Sequence, residues 1–205
     1  MALMPAEAVI FDIGNVLIEW DPSRLYRPLI AEPERLRWFL ETVVPLSWHT
    51  EHDRGRPFAE TIPERQALFP DYSDLIALFR DRWEDMIGPP ITGSVAILEA
   101  LAARNVPVFA LTNYSAETFP AFLRRFAFSR HFRDVVVSGE EGMVKPDPRI
   151  YALAIERFGV APSRTLFIDD REDNVIAARK AGLIGLLFTD PEALRRDMAA
   201  QGIRL

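Results

Sequence analysis

The chain of 205 residues contains no cysteine, which excludes disulfides, thiol nucleophiles and thiolate metal sites. Histidine numbers only three, and two of these, His49 and His52, stand three residues apart, a spacing too common to read as a metal pair. No apolar run approaches the roughly 18 residues of a membrane-crossing helix, and no charged leader followed by a long apolar segment opens the sequence. The expected compartment is therefore the cytoplasm. Positive charge is also in short supply: a net charge of −6 argues against nucleic acid or an anionic membrane as the main partner. It does not forbid an anionic small-molecule substrate, because a local pocket can be positive. Internal repeats and low-complexity segments are absent. What remains is 49% hydrophobic and 26% charged, ordinary for a globular chain able to build one core, or a core plus a small insert.

Asp12 is the most informative residue. It ends the apolar run Ala8-Val9-Ile10-Phe11 and is followed by the turn residues Gly14-Asn15. Such a run reads as a buried parallel strand. A carboxylate at its carboxyl end projects into the crevice where open α/β sheets bind ligands. Left unpaired there it would be costly, so a cation, hydrogen-bond donors or both are expected beside it. Nucleophile and metal ligand are its two candidate roles.

Four further short apolar runs, 106–111, 134–137, 165–168 and 183–188, alternate with helix-like stretches at about 93–104, 115–127, 147–158 and 171–181. That alternation predicts a parallel sheet with right-handed crossovers. Residues 19 to 88 break the rhythm with helical patterns near 33–42, 57–68 and 72–87 and no strand-like run. They are expected to form a helical insert, closed by Pro89-Pro90 because paired prolines cannot continue a helix. The expected division is thus a core of 1–18 and 89–205 and a helical cap of 19–88. Apolar residues of the insert serve a dimer or a private core equally well.

Three more signals fall at strand ends. Thr112-Asn113 offers a hydroxyl and an amide to phosphate-like oxygens, or else a helix cap. Lys145 is followed by Pro146-Asp147-Pro148, whose prolines fix where the ammonium reaches. Asp169-Asp170 places two carboxylates side by side, which repel unless a cation or donors intervene; magnesium, which takes one or two carboxylates plus phosphate oxygens, suits them. The competing role for Asp170 or Asp173 is to cap the next helix.

In order and spacing these motifs resemble the haloacid dehalogenase-like hydrolase superfamily, from about residue 7 to 190. The insert resembles that family's first-type helical cap. Phe11-Asp12-Ile13-Gly14-Asn15-Val16-Leu17 and Phe167-Ile168-Asp169-Asp170-Arg171-Glu172-Asp173-Asn174 are most similar to its bacterial sugar-phosphate phosphatase branch. The resemblance implies a Rossmann-like three-layer α/β core and a magnesium-dependent hydrolase of small phosphorylated metabolites. Within it, Asp12 would form an aspartyl-phosphate, and Thr112, Asn113 and Lys145 would hold the phosphoryl oxygens. Magnesium would bind Asp12, the Gly14 carbonyl and Asp170, with Asp169 orienting a metal-bound water or Lys145.

One departure from the family pattern is Gly14, where most of these phosphatases carry a second Asp that protonates the leaving group. General acid–base help is worth about 10²–10⁴-fold. Glu19, Asp21, His49, Asp53 and solvent are the candidate substitutes. The missing acid also keeps open a 2-haloacid dehalogenase, which needs neither metal nor acid and would use Lys145 and Tyr151, and a non-catalytic binding module. Against the dehalogenase stand Asp12-Ile13-Gly14-Asn15, where an Asp-x-x-Gly-Thr pattern is expected, and the Asp169-Asp170 pair. In the insert, Glu51 to Gly55 reads as a polar turn whose Arg54 faces substrate or solvent, and Trp20 and Trp48 as pocket lining or core.

Overall fold

A computed structural model describes residues 6–203. The chain opens with β1 (Ala8–Phe11) and β2 (Ile18–Trp20). It continues through helices α1 (Ser23–Tyr26), α2 (Pro33–Trp38), α3 (Leu46–Asp53), α4 (Phe58–Leu68) and α5 (Ser73–Asp81) to β3 (Ile87–Pro90). Then follow α6 (Thr92–Ala103), β4 (Val108–Thr112), α7 (Phe119–Arg125), β5 (Val135–Val137), α8 (Ser138–Glu141) and α9 (Pro148–Phe158). The chain closes with β6 (Thr165–Asp169), α10 (Glu172–Lys180), β7 (Ile184–Leu187) and α11 (Pro191–Ala200). Among the described residues no helix is long and apolar enough to cross a membrane.

Five strands form a wholly parallel sheet in the order β5-β4-β1-β6-β7. The central strand β1 is buried at all four positions because both faces of the sheet are covered. Its alternate residues Val9 and Phe11 join one core with Leu98 of α6, Phe122 of α7 and Met198 of α11. Ala8 and Ile10 join a second core with Tyr151 of α9 and Ala178 of α10. Three layers result, as the family resemblance implies, around the parallel sheet that the strand–helix alternation predicts. Pro107 falls just outside β4, where its carbonyl accepts from the Val9 N–H at 3.0 Å and its missing donor is not needed. Local signals set α9 as well: Asp147 accepts from the Arg149 N–H, Pro148 takes the first position, and Gly159 ends the helix at φ +61°.

Two expectations for the insert are corrected. It is not free of strands, since β2 and β3 pair antiparallel, Trp20 opposite Ile87 and Ile18 opposite Pro90. Segments of three and four residues are too short to show a period, and in a two-stranded ribbon an edge proline costs no ladder bond. Residues Glu51 to Asp53 are not a turn but the last part of α3, which buries His52 and Asp53. Only Arg54 and Gly55 turn, with Gly55 at φ +90° and its α-carbon so close to the Gly139 carbonyl that a Cβ would sit 2.7 Å from it. The pattern over 72–87 also divides, into α5, a short turn of 3₁₀ helix over Trp83–Met86 and β3.

Candidate active site

Asp12, Asn113, Asp169 and Asp170 all lie at the carboxyl ends of β1, β4 and β6, the edge from which open α/β sheets present their chemistry. They open into a cavity of about 340 Å³ whose lining includes Asp12, Gly14, Asn113, Lys145, Asp170 and Asn174. The insert closes the other side with Trp20, Leu46, His49, Thr50, Asp53 and Trp83.

Lys145 is the organising charge. Its Nζ lies 2.9 Å from Asp12 Oδ1 and 2.7 Å from Asp169 Oδ2, with no side-chain exposure. Burial alone would lower this ammonium, but the carboxylates of Asp12 and Asp169 outweigh it and hold the group above its usual range. The loop carrying it is clamped by Asn113, whose Nδ2 donates to the Lys145 carbonyl at 3.1 Å while Oδ1 accepts from the Lys145 N–H at 2.8 Å. Both amide atoms are thus committed to the backbone of the lysine loop.

Asp169 is just as tightly held. It accepts from the Arg171 N–H at 2.9 Å and from Asn174 Nδ2 at 3.0 and 3.1 Å. No acid caps α10: Arg171 occupies that position, and Asp173 pairs with the Arg171 guanidinium at 2.8 Å. Asp12 Oδ1 also accepts from the Ile13 N–H at 2.7 Å. Burial nonetheless pushes the Asp12 carboxyl up to about 7; Lys145 opposes that rise and the nearby Asp169 charge adds to it. Asp170 is raised in the same way, first by burial and then by Asp169.

Oxygen atoms of Asp12, Asp169 and Asp170 lie within 4.8 Å of one another. With all three carboxylates ionised against one ammonium, two negative charges remain, which a divalent cation balances. Hard oxygen donors suit magnesium. With Asp169 saturated by Lys145, Arg171 and Asn174, Asp12 and Asp170 are the carboxylates available to an ion.

The remaining candidates separate cleanly. Thr112 is buried at the end of β4 and is not among the residues lining the cavity. Glu19 pairs with Arg24 at 3.2 Å and Asp21 caps Ser23 at 2.8 Å, so neither serves the cavity. Arg54 is exposed outside it. Trp20 lines the cavity, whereas Trp48 packs against Phe79 and His52 in the insert. His52 Nε2 meets Thr61 Oγ1 at 2.6 Å, and His49 and His52 share no carboxylate cluster with the spacing of a metal site among the described residues. Tyr151 is buried and donates its hydroxyl to the Asn174 carbonyl at 3.0 Å.

His49 and Asp53 do line the cavity. His49 Nε2 lies 3.3 Å from Asp53 Oδ2. Burial, and then the neighbouring His52, lowers the His49 ring to about 3, so it is neutral and the contact is not an ion pair. Burial and then the Asp12 charge raise the Asp53 carboxyl to about 7. Asp53 is 4% exposed, and its Oδ1 is buried without a partner. Its backbone carbonyl accepts from Ser138 Oγ at 2.6 Å, which ties the end of α3 to the start of α8. The sequence reads Asp53 as part of a polar turn and as one candidate acid, but no hydropathy signal marks this helix, whose buried residues are largely polar or aromatic.

A family model for haloacid dehalogenase-like hydrolase matches residues 6–182. The chain belongs to that family. It is 28% identical to a sesquiterpene phosphatase of Aspergillus oryzae, covering 90% of each chain. It is 32% identical to a phosphoserine phosphatase of Thermus thermophilus, over 68% of this chain and 58% of that one. A family enzyme of Bacteroides thetaiotaomicron, solved with magnesium and inorganic phosphate, shares the fold at a TM-score of 0.71 and 21% identity, over 90% and 95% of the two chains. An L-2-haloacid dehalogenase of Xanthobacter autotrophicus shares it at 0.63 and 20%, over 95% and 83%. The chain is accordingly a hydrolase of this family with phosphatase relatives.

Proposed function

We propose that this protein is a magnesium-dependent phosphomonoester hydrolase in which Asp12 is the nucleophile. The observation that carries this reading is the meeting of Asp12, Asp169, Asp170 and Lys145 at one end of a cavity. Asp12, Asp170 and the Gly14 carbonyl would hold the ion, which when bound neutralises phosphoryl charge and keeps the Asp12 carboxyl ionised. Lys145 would flank the transferring group, with Asn113 fixing the lysine loop; Thr112, buried off the cavity lining, takes no direct part. Asp169 orients Lys145. Positioning and charge neutralisation of this kind supply most of the catalysis in phosphoryl transfer. The core, 1–18 and 89–205, carries this chemistry, and the insert, 19–88, covers it as a cap.

Asp53 is assigned the proton transfer that Gly14 cannot perform. As Asp12 forms its bond to phosphorus, the Asp53 O–H donates its proton to the departing alcohol oxygen. Asp53, now a carboxylate, then takes a proton from the water that attacks phosphorus and releases Asp12. Neutral His49 at 3.3 Å leaves this proton on Asp53 near neutrality. The substrates named for the relatives differ and remain properties of those proteins.

The test is hydrolysis of small phosphomonoesters with and without magnesium, beside Asp12→Asn. Activity that needs both magnesium and Asp12 supports the reading. Metal-independent chloride release from 2-chloropropionate would support the dehalogenase, to which Tyr151, committed to Asn174, lends nothing. Phosphate-analogue binding without turnover would support a binding module.

A further inference from the structure

Polar and apolar groups divide the cavity sharply. Apart from Asp53, its charged groups come from the sheet side, whereas the insert side is built from Trp20, Leu46, His49, Thr50 and Trp83, with Ile18 and Tyr114 beside them. His49 packs against two indoles that also touch each other, with the Trp20 and Trp83 centroids 6.4 Å apart. The His49 ring centroid lies 4.8 Å from that of Trp20 at 23° and 5.3 Å from that of Trp83 at 22°. Burial keeps the His49 ring neutral, so the three mutually packed rings form an uncharged aromatic wall.

Two properties of this wall select a ligand. First, it carries no cation. Lys145 and Arg171 are the only cations lining the cavity among the described residues. Both come from the sheet side, where acids already engage them. A second anionic group on a substrate would find no counter-charge on the insert side and would meet Asp53 there. Second, most polar atoms of the wall are spent within the protein. Thr50 Oγ1 donates to the Leu46 carbonyl at 2.8 Å, Tyr114 Oη accepts from Trp83 Nε1 at 3.4 Å, and Asn15 Oδ1 accepts from the Trp20 N–H at 3.0 Å. Trp20 Nε1, His49 Nδ1 and Asp53 Oδ1 have no partners but are buried from solvent, so the wall offers few hydrogen bonds to a polyol.

We infer that this wall is a subsite for the uncharged, apolar body of the leaving alcohol, so that the substrate class is the phosphomonoester of a neutral, apolar alcohol. The inference rests on the phosphatase reading above and deepens it. Each methylene buried against the wall is worth about fourfold in affinity.

The experiment compares kcat/KM of the full chain with magnesium for n-octyl phosphate, phosphoglycolate and glucose 6-phosphate, with acetyl phosphate as a substrate too small to use the wall. Octyl phosphate should exceed both of the larger polar esters by at least about tenfold, an advantage carried in KM. Leu46 is 54% exposed at the rim, so Leu46→Arg should fold normally. That variant should gain about two- to fivefold on phosphoglycolate and lose on octyl phosphate. Equal or greater activity on either polar ester, or an unchanged ratio in Leu46→Arg, overturns the subsite while leaving the phosphatase intact. Failure to hydrolyse even acetyl phosphate overturns the phosphatase reading itself, and the subsite with it.

Discussion

Replacing Asp53 by asparagine keeps the size of the side chain and removes its transferable proton. At pH 7 the wild-type carboxyl, raised to about 7, is close to half protonated, so both the acid and the base forms are available. Loss of a general acid costs about 10²–10⁴-fold, but only where the leaving oxygen needs a proton. For an alkyl phosphate kcat/KM should therefore fall by that range in Asp53→Asn. For p-nitrophenyl phosphate, whose phenolate leaves unaided, it should fall less than about tenfold. The wild-type rate on the alkyl ester should decline as pH rises past about 7, with Asp12, Lys145, His49, Arg54 and Tyr114 the ionisable groups that act on or touch the acid. Stability gives the counter-check. Between the ordinary value of 3.8 and about 7 the folded protein holds a proton that the unfolded chain has released, so stability falls as pH rises through that window. The ionised carboxyl then costs up to about 4 kcal/mol, and the variant should melt no lower than wild type at pH 8. Equal losses on the two esters, or no loss on either, would refute the assignment of Asp53 as the acid.

Three other substitutions test the surrounding geometry. A Cβ at Gly14 would meet nothing within 4 Å and no left-handed backbone is required there, so Gly14→Asp introduced into Asp53→Asn should recover at least about tenfold on alkyl esters. Lys145→Met strands Asp12 and Asp169 without their shared counter-ion and should destabilise the metal-free protein by about 3–5 kcal/mol in urea titrations, less at pH 5 than at pH 8 because the raised Asp12 carboxyl takes up a proton. Asn174→Ala removes the donors 3.0 and 3.1 Å from Asp169 and should cost about 1–3 kcal/mol in stability, with kcat falling more than KM changes.

The core was legible because each strand is short, apolar and followed by a helix with its own signals. Asp12, Lys145 and Asp169-Asp170 were legible because their residue types sit where such strands end. The insert was not. Its ribbon is too short for periodicity and contains two prolines, and α3 buries His49, His52 and Asp53 together, so hydropathy reads it as surface. Asn113 is expected from the sequence to hold phosphoryl oxygens; it lines the cavity, but both its amide atoms clamp Lys145, a partner 32 positions away. Thr112 was legible as a strand end, but the cavity lining does not include it.

A rapid-quench experiment with magnesium and substrate carrying radiolabelled phosphate, followed by peptide mapping, reads the chemistry at its first step. Label should appear transiently on the peptide bearing Asp12, at Asp12 itself, and not in Asp12→Asn. Steady release of phosphate with no label on Asp12, or with label on another residue, would remove Asp12 as the nucleophile.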